Sequence, residues 1–316
     1  MVNVTRVLVT GGAGFIGSHV VDALVERGDD VWVLDNLASG KRQNVNEGAR
    51  LLEVDVRDAT AVGDAFAEAK PETCFHLAAQ ADVRVSIAEP AFDAEVNVIG
   101  TANVLEAARE HEAQVVFSST GGAIYGECDG PADEDSPRLP LAPYGTSKLA
   151  GEEYLGTWSR LYGAGHVALR YGNVYGPRQD PHGEAGVVAI FFGRVANGQE
   201  LHVFGDGRQT RDYVFAADVV AATLAAASSP AGVYNVGTGI ETSVIELAEG
   251  CKRASGVDAE IVFDPPRLGE LSRSVLDPSR AESALGWRPA TSLDEGLAAT
   301  WEFVQAAEGE GGTGAN

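Results

Sequence analysis

The sequence predicts an α/β protein: a doubly wound parallel sheet followed by a smaller α/β lobe. Three observations carry this. Short apolar runs alternate with helical patterns over the first two-thirds of the 316 residues, the rhythm of strands joined by crossover helices. The triad Gly11-x-x-Gly14-x-x-Gly17 follows the first apolar run and opens the first helical stretch. After Tyr171 the rhythm breaks into a segment rich in Gly, Pro and Asn that reaches Gly207. A division follows. Residues 1–172 are expected as one domain with 211–230 returning to it, 173–305 mainly as the second lobe, and 306–316 as a disordered tail.

Taken in order, strands are expected over 7–10, 31–35, 51–54, 74–77, 115–118 and 167–170, each a short apolar run. Runs of this kind suit a parallel sheet covered on both faces. Between them, helices are expected over Phe15–Arg27, 60–69, 94–110 and 147–161. A strand over 212–214 and a helix through Ala227 read as returning to the main sheet. A helix over 243–254, a strand over 260–263 and a final helix over 293–307 complete the smaller lobe.

A glycine triad with a strand before it and a helix after it marks a dinucleotide site of Rossmann type. The glycines permit a tight turn and close backbone approach to a pyrophosphate, whose charge the helix N-terminus favours. Asp35 ends the second strand eighteen residues after Gly17. A carboxylate there binds the ribose hydroxyls of NAD and repels the 2′-phosphate of NADP; it can also cap the loop that follows. Lys41 and Arg42 argue the other way, and NAD is favoured. Asp55-Val56 is placed to bracket adenine. Leu77-Ala78-Ala79-Gln80 ends the fourth strand with small residues, which let backbone pass close to a ligand or simply pack.

Ser118-Ser119-Thr120 brings hydroxyls to the carboxyl end of the fifth strand, where open α/β sheets bind ligands. About 24 residues later comes Tyr144-x-x-x-Lys148. Residues four apart share a helix face, so Lys148 stands beside Tyr144. A phenol, with a pKa of about 10, is a poor base at neutral pH. An ammonium and a positive nicotinamide ring beside it favour the phenolate. Alone, the pair reads as a surface aromatic with a cation. Behind a dinucleotide motif, it reads as the proton-transfer half of hydride chemistry.

The composition excludes several classes. With 46 acidic against 23 basic residues the net charge is −23, unsuited to nucleic acid or an anionic membrane as partner. Such acidity suits either a salt-adapted protein, whose repulsion ions screen, or simply an acidic soluble one. No apolar run is long enough to cross a bilayer, and Met1 leads directly into a strand-like run, so a cytoplasmic enzyme is expected. The three cysteines, Cys74, Cys128 and Cys251, are scattered, consistent with free thiols in a reducing compartment. The six histidines show no metal-ligand spacing.

Gly11-x-x-Gly14-x-x-Gly17, Asp35-Asn36-Leu37, Asp55-Val56-Arg57-Asp58, His76-Leu77-Ala78-Ala79-Gln80, Asn97-Val98-x-Gly100-Thr101 and Tyr144-x-x-x-Lys148 together resemble the extended short-chain dehydrogenase/reductases. The resemblance runs from about residue 5 to 305, and within that family it points most to the UDP-glucose 4-epimerase branch. It implies NAD held by Gly11, Gly14, Phe15, Ile16, Gly17, Asp35, Asn36, Asp55, Val56, Leu77, Ala78, Ala79, Gln80, Asn97, Ser118, Tyr144, Lys148 and Tyr171. It also implies a reversible cycle. Tyr144 takes the proton of the sugar 4-hydroxyl as hydride leaves C4 for NAD; the 4-keto sugar turns over, and the hydride returns to its opposite face. The run Ser119-Thr120-Gly121-Gly122-Ala123-Ile124-Tyr125-Gly126 is one residue longer than the form with three serines. The third catalytic residue is therefore Thr120 or Ser119, with Thr120 preferred.

Relatives that dehydrate or decarboxylate the keto-sugar carry an extra acid or base just after the Thr120 position. Gly121 and Gly122 stand there, favouring simple epimerisation, and Glu127 lies too far along. In the second lobe the resemblance implies a UDP-sugar site. Asn173, Arg211 and Arg267 would hold the diphosphate and Glu270 the ribose. Val203 and Phe204 would flank the uracil, with Val188, Arg84, Ser86, Thr120 and Tyr144 also lining the site. Ser274 stands where a bulky aromatic would exclude N-acetyl groups, so UDP-N-acetylglucosamine is expected to be accepted beside UDP-glucose. Arg84 could hold a carboxylate, which keeps uronic acids open. Pentose derivatives, a dehydratase and a non-catalytic NAD-binding sensor also remain as alternatives. Helices 94–110 and 147–161 would pair across a two-fold axis in a homodimer.

Overall fold

β1 (Arg6–Thr10), α1 (Phe15–Arg27), β2 (Asp30–Asp35) and β3 (Arg50–Glu53) open the chain, followed by α2 (Ala59–Ala69) and β4 (Thr73–His76). α3 (Val83–Ala88) and α4 (Pro90–Ala94) lead through a wide π turn (Glu95–Ile99) into α5 (Gly100–Glu110). β5 (Gln114–Thr120), the single turn α6 (Gly121–Ile124), α7 (Pro143–Tyr162) and β6 (Val167–Tyr171) complete the first run. Then come β7 (Asn173–Tyr175), α8 (Val187–Ala196), β8 (Leu201–Phe204), β9 (Thr210–Arg211), β10 (Tyr213–Phe215), α9 (Ala216–Ala226) and β11 (Gly232–Val236). β12 (Thr242–Ser243), α10 (Val244–Ser255), β13 (Ile261–Asp264), β14 (Arg273–Ser274), α11 (Ser279–Leu285) and α12 (Leu293–Gly311) finish it. The computed structural model describes residues 4–181, 186–266 and 271–311, with side chains of the last helix through Ala307.

Seven strands form one parallel sheet in the order β11-β6-β5-β4-β1-β2-β3. Strand order reverses beside β1, where a doubly wound sheet opens a crevice at its carboxyl edge. Alternation along β1 serves both faces: Val7 and Val9 enter one core with α1 and α9, and Leu8 enters the other with α2 and α5. That is why these strands read as unbroken apolar runs. A third core, built on Phe191, Phe192, Leu201, Leu247 and Trp301, holds the second lobe.

Four expectations are corrected. The strand expected at 212–214 is β10, which pairs with β7 in a two-stranded ribbon outside the main sheet. The chain instead returns through α9, packed on α1, and through β11 beside β6. α11 and Trp287 also join the first core, so the lobes interleave beyond the expected 211–230. The helix expected over 94–110 is interrupted by the π turn. Finally, α12 runs on to Gly311, into the expected tail.

α7 is fixed to the sheet by a buried ion pair. Arg170 of β6 meets Glu152 with Nη2–Oε2 at 2.7 Å and Nε–Oε1 at 2.9 Å, each side chain 2% exposed. A further Arg170 N–H donates to the Tyr125 hydroxyl at 2.7 Å. Glu152 Oε1 also accepts the Ser119 hydroxyl at 2.5 Å.

A second buried relay fixes the protonation of His76 at the end of β4. The Thr101 hydroxyl donates to the Asn97 carbonyl (2.7 Å), so it accepts from His76 Nε2–H (3.0 Å). His76 Nδ1 accepts from the Thr10 hydroxyl (2.7 Å), whose oxygen takes the Ala78 N–H (3.1 Å). Burial first, and then the nearby Lys148 charge, push the His76 pKa down to about 3. Burial likewise lowers His166 to about 4. Both rings bind a proton near pH 6.5 in the unfolded chain but not in the folded one, so acid favours unfolding in that window. Stability should fall as pH drops from about 6.5 toward 4, by about 1.4 kcal/mol per unit for each ring. Thermal melts at pH 7 and pH 5 check this; an unchanged melting temperature would contradict it.

Candidate active site

The glycine triad folds as its spacing requires. Gly11 has φ +70°, and a Cβ there would stand 2.6 Å from the Ala78 nitrogen. A Cβ on Gly17 would overlap the Gly11 carbonyl oxygen. Only glycine lets the β1–α1 turn, the first turn of α1 and the end of β4 come this close. α1 starts at Gly14 with no side-chain cap and no acidic residue in its first turn. Its first N–H groups are thus available for an anion.

A cleft of about 510 Å³ lies over these carboxyl ends. Gly11, Gly14, Phe15, Ile16 and Gly17 form one wall. Asp35, Asn36, Asp55 and Val56 form the outer end, and Leu77, Ala78, Ala79 and Gln80 the floor. Ser118, Thr120, Tyr144, Lys148 and Tyr171 close the inner end. Asp35 accepts from the Ala13 and Leu37 N–H groups at 3.0 and 2.8 Å, so it caps two loops and lines the cleft at once. Lys41 pairs with Asp180 at 2.8 Å and Arg42 with Glu53, and neither lines this cleft. The glycine cradle and a cleft-lining carboxylate, with Lys41 and Arg42 paired elsewhere, fit NAD. Hydrogen bonds from the Arg57 side chain hold the Asp55 carboxyl well below the usual range, and Asn36 Nδ2 donates to it at 2.9 Å.

Asn97 departs from the expectation. It is buried beneath the floor, where its amide accepts the Gln80 N–H at 3.0 Å and donates to the Gln80 carbonyl at 2.8 Å. The π turn aims it there, so it shapes the loop and does not line the cleft.

Tyr144 lies in the first turn of α7, and Lys148 one turn on is 2% exposed. The Lys148 ammonium donates to the Ser118 carbonyl at 2.9 Å and sits 4.9 Å from the Phe117 ring centre. Ser119 commits its hydroxyl to Glu152, whereas the Thr120 hydroxyl has no protein partner among the described residues. Past Thr120, a Cβ on Gly121 would stand 2.5 Å from Leu276 Cδ1, and one on Gly122 3.3 Å from Asn173 Oδ1. Packing against Leu276 as well as composition opposes a larger side chain at 121, whereas at 122 composition alone does so.

A second cleft of about 500 Å³ meets the first, the two sharing Phe15, Ile16, Ala81, Tyr144, Gly172 and Val174. Asn173, Phe204 and Arg211 line it, and the Asn173 side-chain oxygen is buried without a partner among the described residues. His202, Gln209, Tyr213 and Asp264 line it too, with His202 Nδ1 2.8 Å from Asp264 Oδ2. Strand alternation counted from Phe204 and Arg211 finds His202 and Tyr213.

Other expected residues lie elsewhere. Val203 alternates with Phe204 and is fully buried in the second-lobe core. Val188 also faces that core, because Val187, Ile190 and Phe191 take the cleft side of α8. Ser86 is buried, donating to the Val83 carbonyl at 2.7 Å. Arg84 is drawn to Asp82 at 2.6 Å and opens on a separate hollow beside Lys41 and Arg178. Ser274 pairs in register with Arg211 but is buried away from the cleft. Arg267 and Glu270 lie outside the described residues. No cluster of His, Cys, Asp and Glu among the described residues could hold a metal ion.

Comparison with known proteins agrees with this geometry. Residues 7–237 match the model of the NAD dependent epimerase/dehydratase family. A UDP-glucose 4-epimerase of Mycolicibacterium smegmatis is 48% identical over 310 residues, covering 95% of this chain and 98% of the relative. The crystal structure of the Thermotoga maritima UDP-glucose 4-epimerase with UDP-glucose superposes with a TM-score of 0.94 at 48% identity, covering 96% of this chain and 99% of that one. The Thermus thermophilus UDP-glucose 4-epimerase complex with NAD gives 0.92 at 49% identity, with the same coverage of both chains. A family match spanning the first lobe, joined to relatives aligned along nearly the whole chain, means that the protein belongs to the NAD-dependent epimerase/dehydratase family.

Proposed function

We propose that this protein interconverts UDP-glucose and UDP-galactose by inverting C4 of the sugar, with NAD held throughout. One observation carries the reading: Tyr144 stands where a dinucleotide-shaped cleft meets a second cleft lined by Arg211 and Asn173. When bound, NAD takes a hydride from C4 and gives it back. The protein's own part is proton transfer and positioning. Tyr144 removes the proton of the 4-hydroxyl and later restores it, its phenolate favoured by the buried Lys148 ammonium one turn away. Thr120 hydrogen-bonds the reacting oxygen, since Ser119 is committed to Glu152. Arg211 and Asn173 hold the diphosphate, Arg suiting forked contact with its oxygens. Phe204 covers the base; Arg267 and Glu270 are assigned to the second phosphate and the ribose. Glycine at 121 and 122 gives neither position a side chain to expel water or carbon dioxide from a keto-sugar, which favours epimerisation over dehydration. Arg84, turned away toward Asp82, is not placed to hold a uronate carboxyl.

The working form is read as a cytoplasmic homodimer. Ile99, Leu161 and Tyr162 are 52%, 66% and 53% exposed on the π turn and α7, apolar side chains that suit helix pairing between copies. Three free thiols, two of them buried, suit a reducing compartment. The net charge of −23 suits a salt-rich one, where ions screen carboxylate repulsion.

NMR of products from a panel of UDP-sugars, N-acetylated and uronic ones included, should show UDP-galactose converted without added nicotinamide. Silence on every sugar with NAD still bound would favour a sensor instead. Tyr144→Phe should lose activity by on the order of 10²–10⁴-fold while melting temperature and NAD content hold. Activity and melting temperature should both rise with added potassium chloride; an optimum without salt would remove the salt-adapted reading.

A further inference from the structure

Behind the first cleft, three hydrogen bonds converge on the buried Asp93 of α4. Its side chain is fully enclosed, and its carboxylate accepts from Gln80 Nε2 at 2.9 Å, Asn97 Nδ2 at 3.0 Å and Ser147 Oγ at 2.5 Å. All three partners are neutral. A carboxylate removed from water is costly unless its oxygens are satisfied, so it binds its donors firmly. Gln80 belongs to the floor of the dinucleotide cleft, and Asn97 holds that floor from beneath. Ser147 belongs to α7, between Tyr144 and Lys148. The N-cap of α7, Ala142, offers no side-chain cap, so the Ser147 bond is a side-chain tie between the first turns of α7 and Asp93.

We propose that Asp93 and Ser147 are positioning residues that set the depth of Tyr144 and Lys148 over the inner end of the dinucleotide cleft. Asp93 Oδ2 holds the catalytic helix while Oδ1 holds the cofactor loop, so one side chain fixes the spacing between proton acceptor and cofactor floor. Neither residue touches the reacting atoms. The proposal rests on Tyr144 as the base.

Two variants isolate the link. Ser147→Ala removes the bond to α7 alone. Asp93→Asn keeps the shape: its oxygen still accepts from Gln80 and Asn97, and its amide can donate to the Ser147 oxygen, a hydroxyl that accepts as well as donates. In the full-length enzyme, Ser147→Ala should lower kcat by on the order of ten- to a hundredfold with KM for the UDP-sugar unchanged, the melting temperature falling only modestly as Asp93 loses one donor. The acid limb of its kcat profile should move to higher pH, because a displaced phenol loses alignment with the Lys148 ammonium. Asp93→Asn should retain most of the wild-type kcat. Wild-type kcat in Ser147→Ala overturns the proposal, as does a loss with an unmoved pH profile or one that Asp93→Asn shares in full. Tyr144→Phe in the same assay separates the two readings. If it stays active the base assignment fails; if it is dead while Ser147→Ala is unaffected, only the positioning role fails.

Discussion

The geometry of the site hangs on the buried pair between Glu152 and Arg170. Breaking such a pair leaves an uncompensated charge and costs about 3–5 kcal/mol, so α7 cannot slide along β6. Tyr144, Lys148 and Glu152 follow one another at intervals of four and form one stripe down α7. The proposed proton acceptor, its cation and their anchor are therefore a single row. Glu152 also draws the Ser119 hydroxyl to itself. The same register sets Lys148 against the Ser118 carbonyl and leaves the Thr120 hydroxyl without a partner among the described residues.

A comparable logic joins the two lobes. Asp212 sits between Arg211 and Tyr213, which both line the second cleft. Its buried carboxylate accepts the Thr238 N–H and hydroxyl at 2.8 and 2.6 Å and the Gly239 N–H at 3.0 Å, and its carbonyl takes the Asn173 N–H at 2.7 Å. Loops from the first lobe thus grip the strand that carries Arg211, while burial raises the Asp212 pKa. The residues assigned to the diphosphate are held against the residues assigned to the proton by a few short polar bridges.

Much of this was legible in the sequence because topology delivers strand ends to one edge. Once Gly11, Asp35, Leu77 and Ser118 are read as ends of parallel strands, they fall into the same crevice. Period-four spacing brought Lys148 to Tyr144 in the same way. What escaped reading depends on tertiary partners. β11 carries Asn235 in its middle and so lacks an apolar run; that residue is tolerated because its side chain reaches the Ala132 carbonyl at 2.8 Å and its backbone meets Glu134. The π turn leaves no compositional mark, yet it turns Asn97 under the floor. Val203 and Val188 were misassigned by ignoring which face of their own strand or helix points to the cleft. Arg84 was misassigned because a carboxylate two residues away captures it.

The crowding at Gly121 bears on how this lineage can change. Leu276, itself buried against Ile124 and Tyr125, occupies the space that any larger side chain at 121 would need. A chain acquiring eliminating chemistry there would need that leucine to shift or be trimmed, a change that disturbs the interior and by itself brings no new reaction. Neighbouring chemistries are thus separated from this one by the order in which mutations must arrive, and shape guards the outcome of the reaction where no titrating group does.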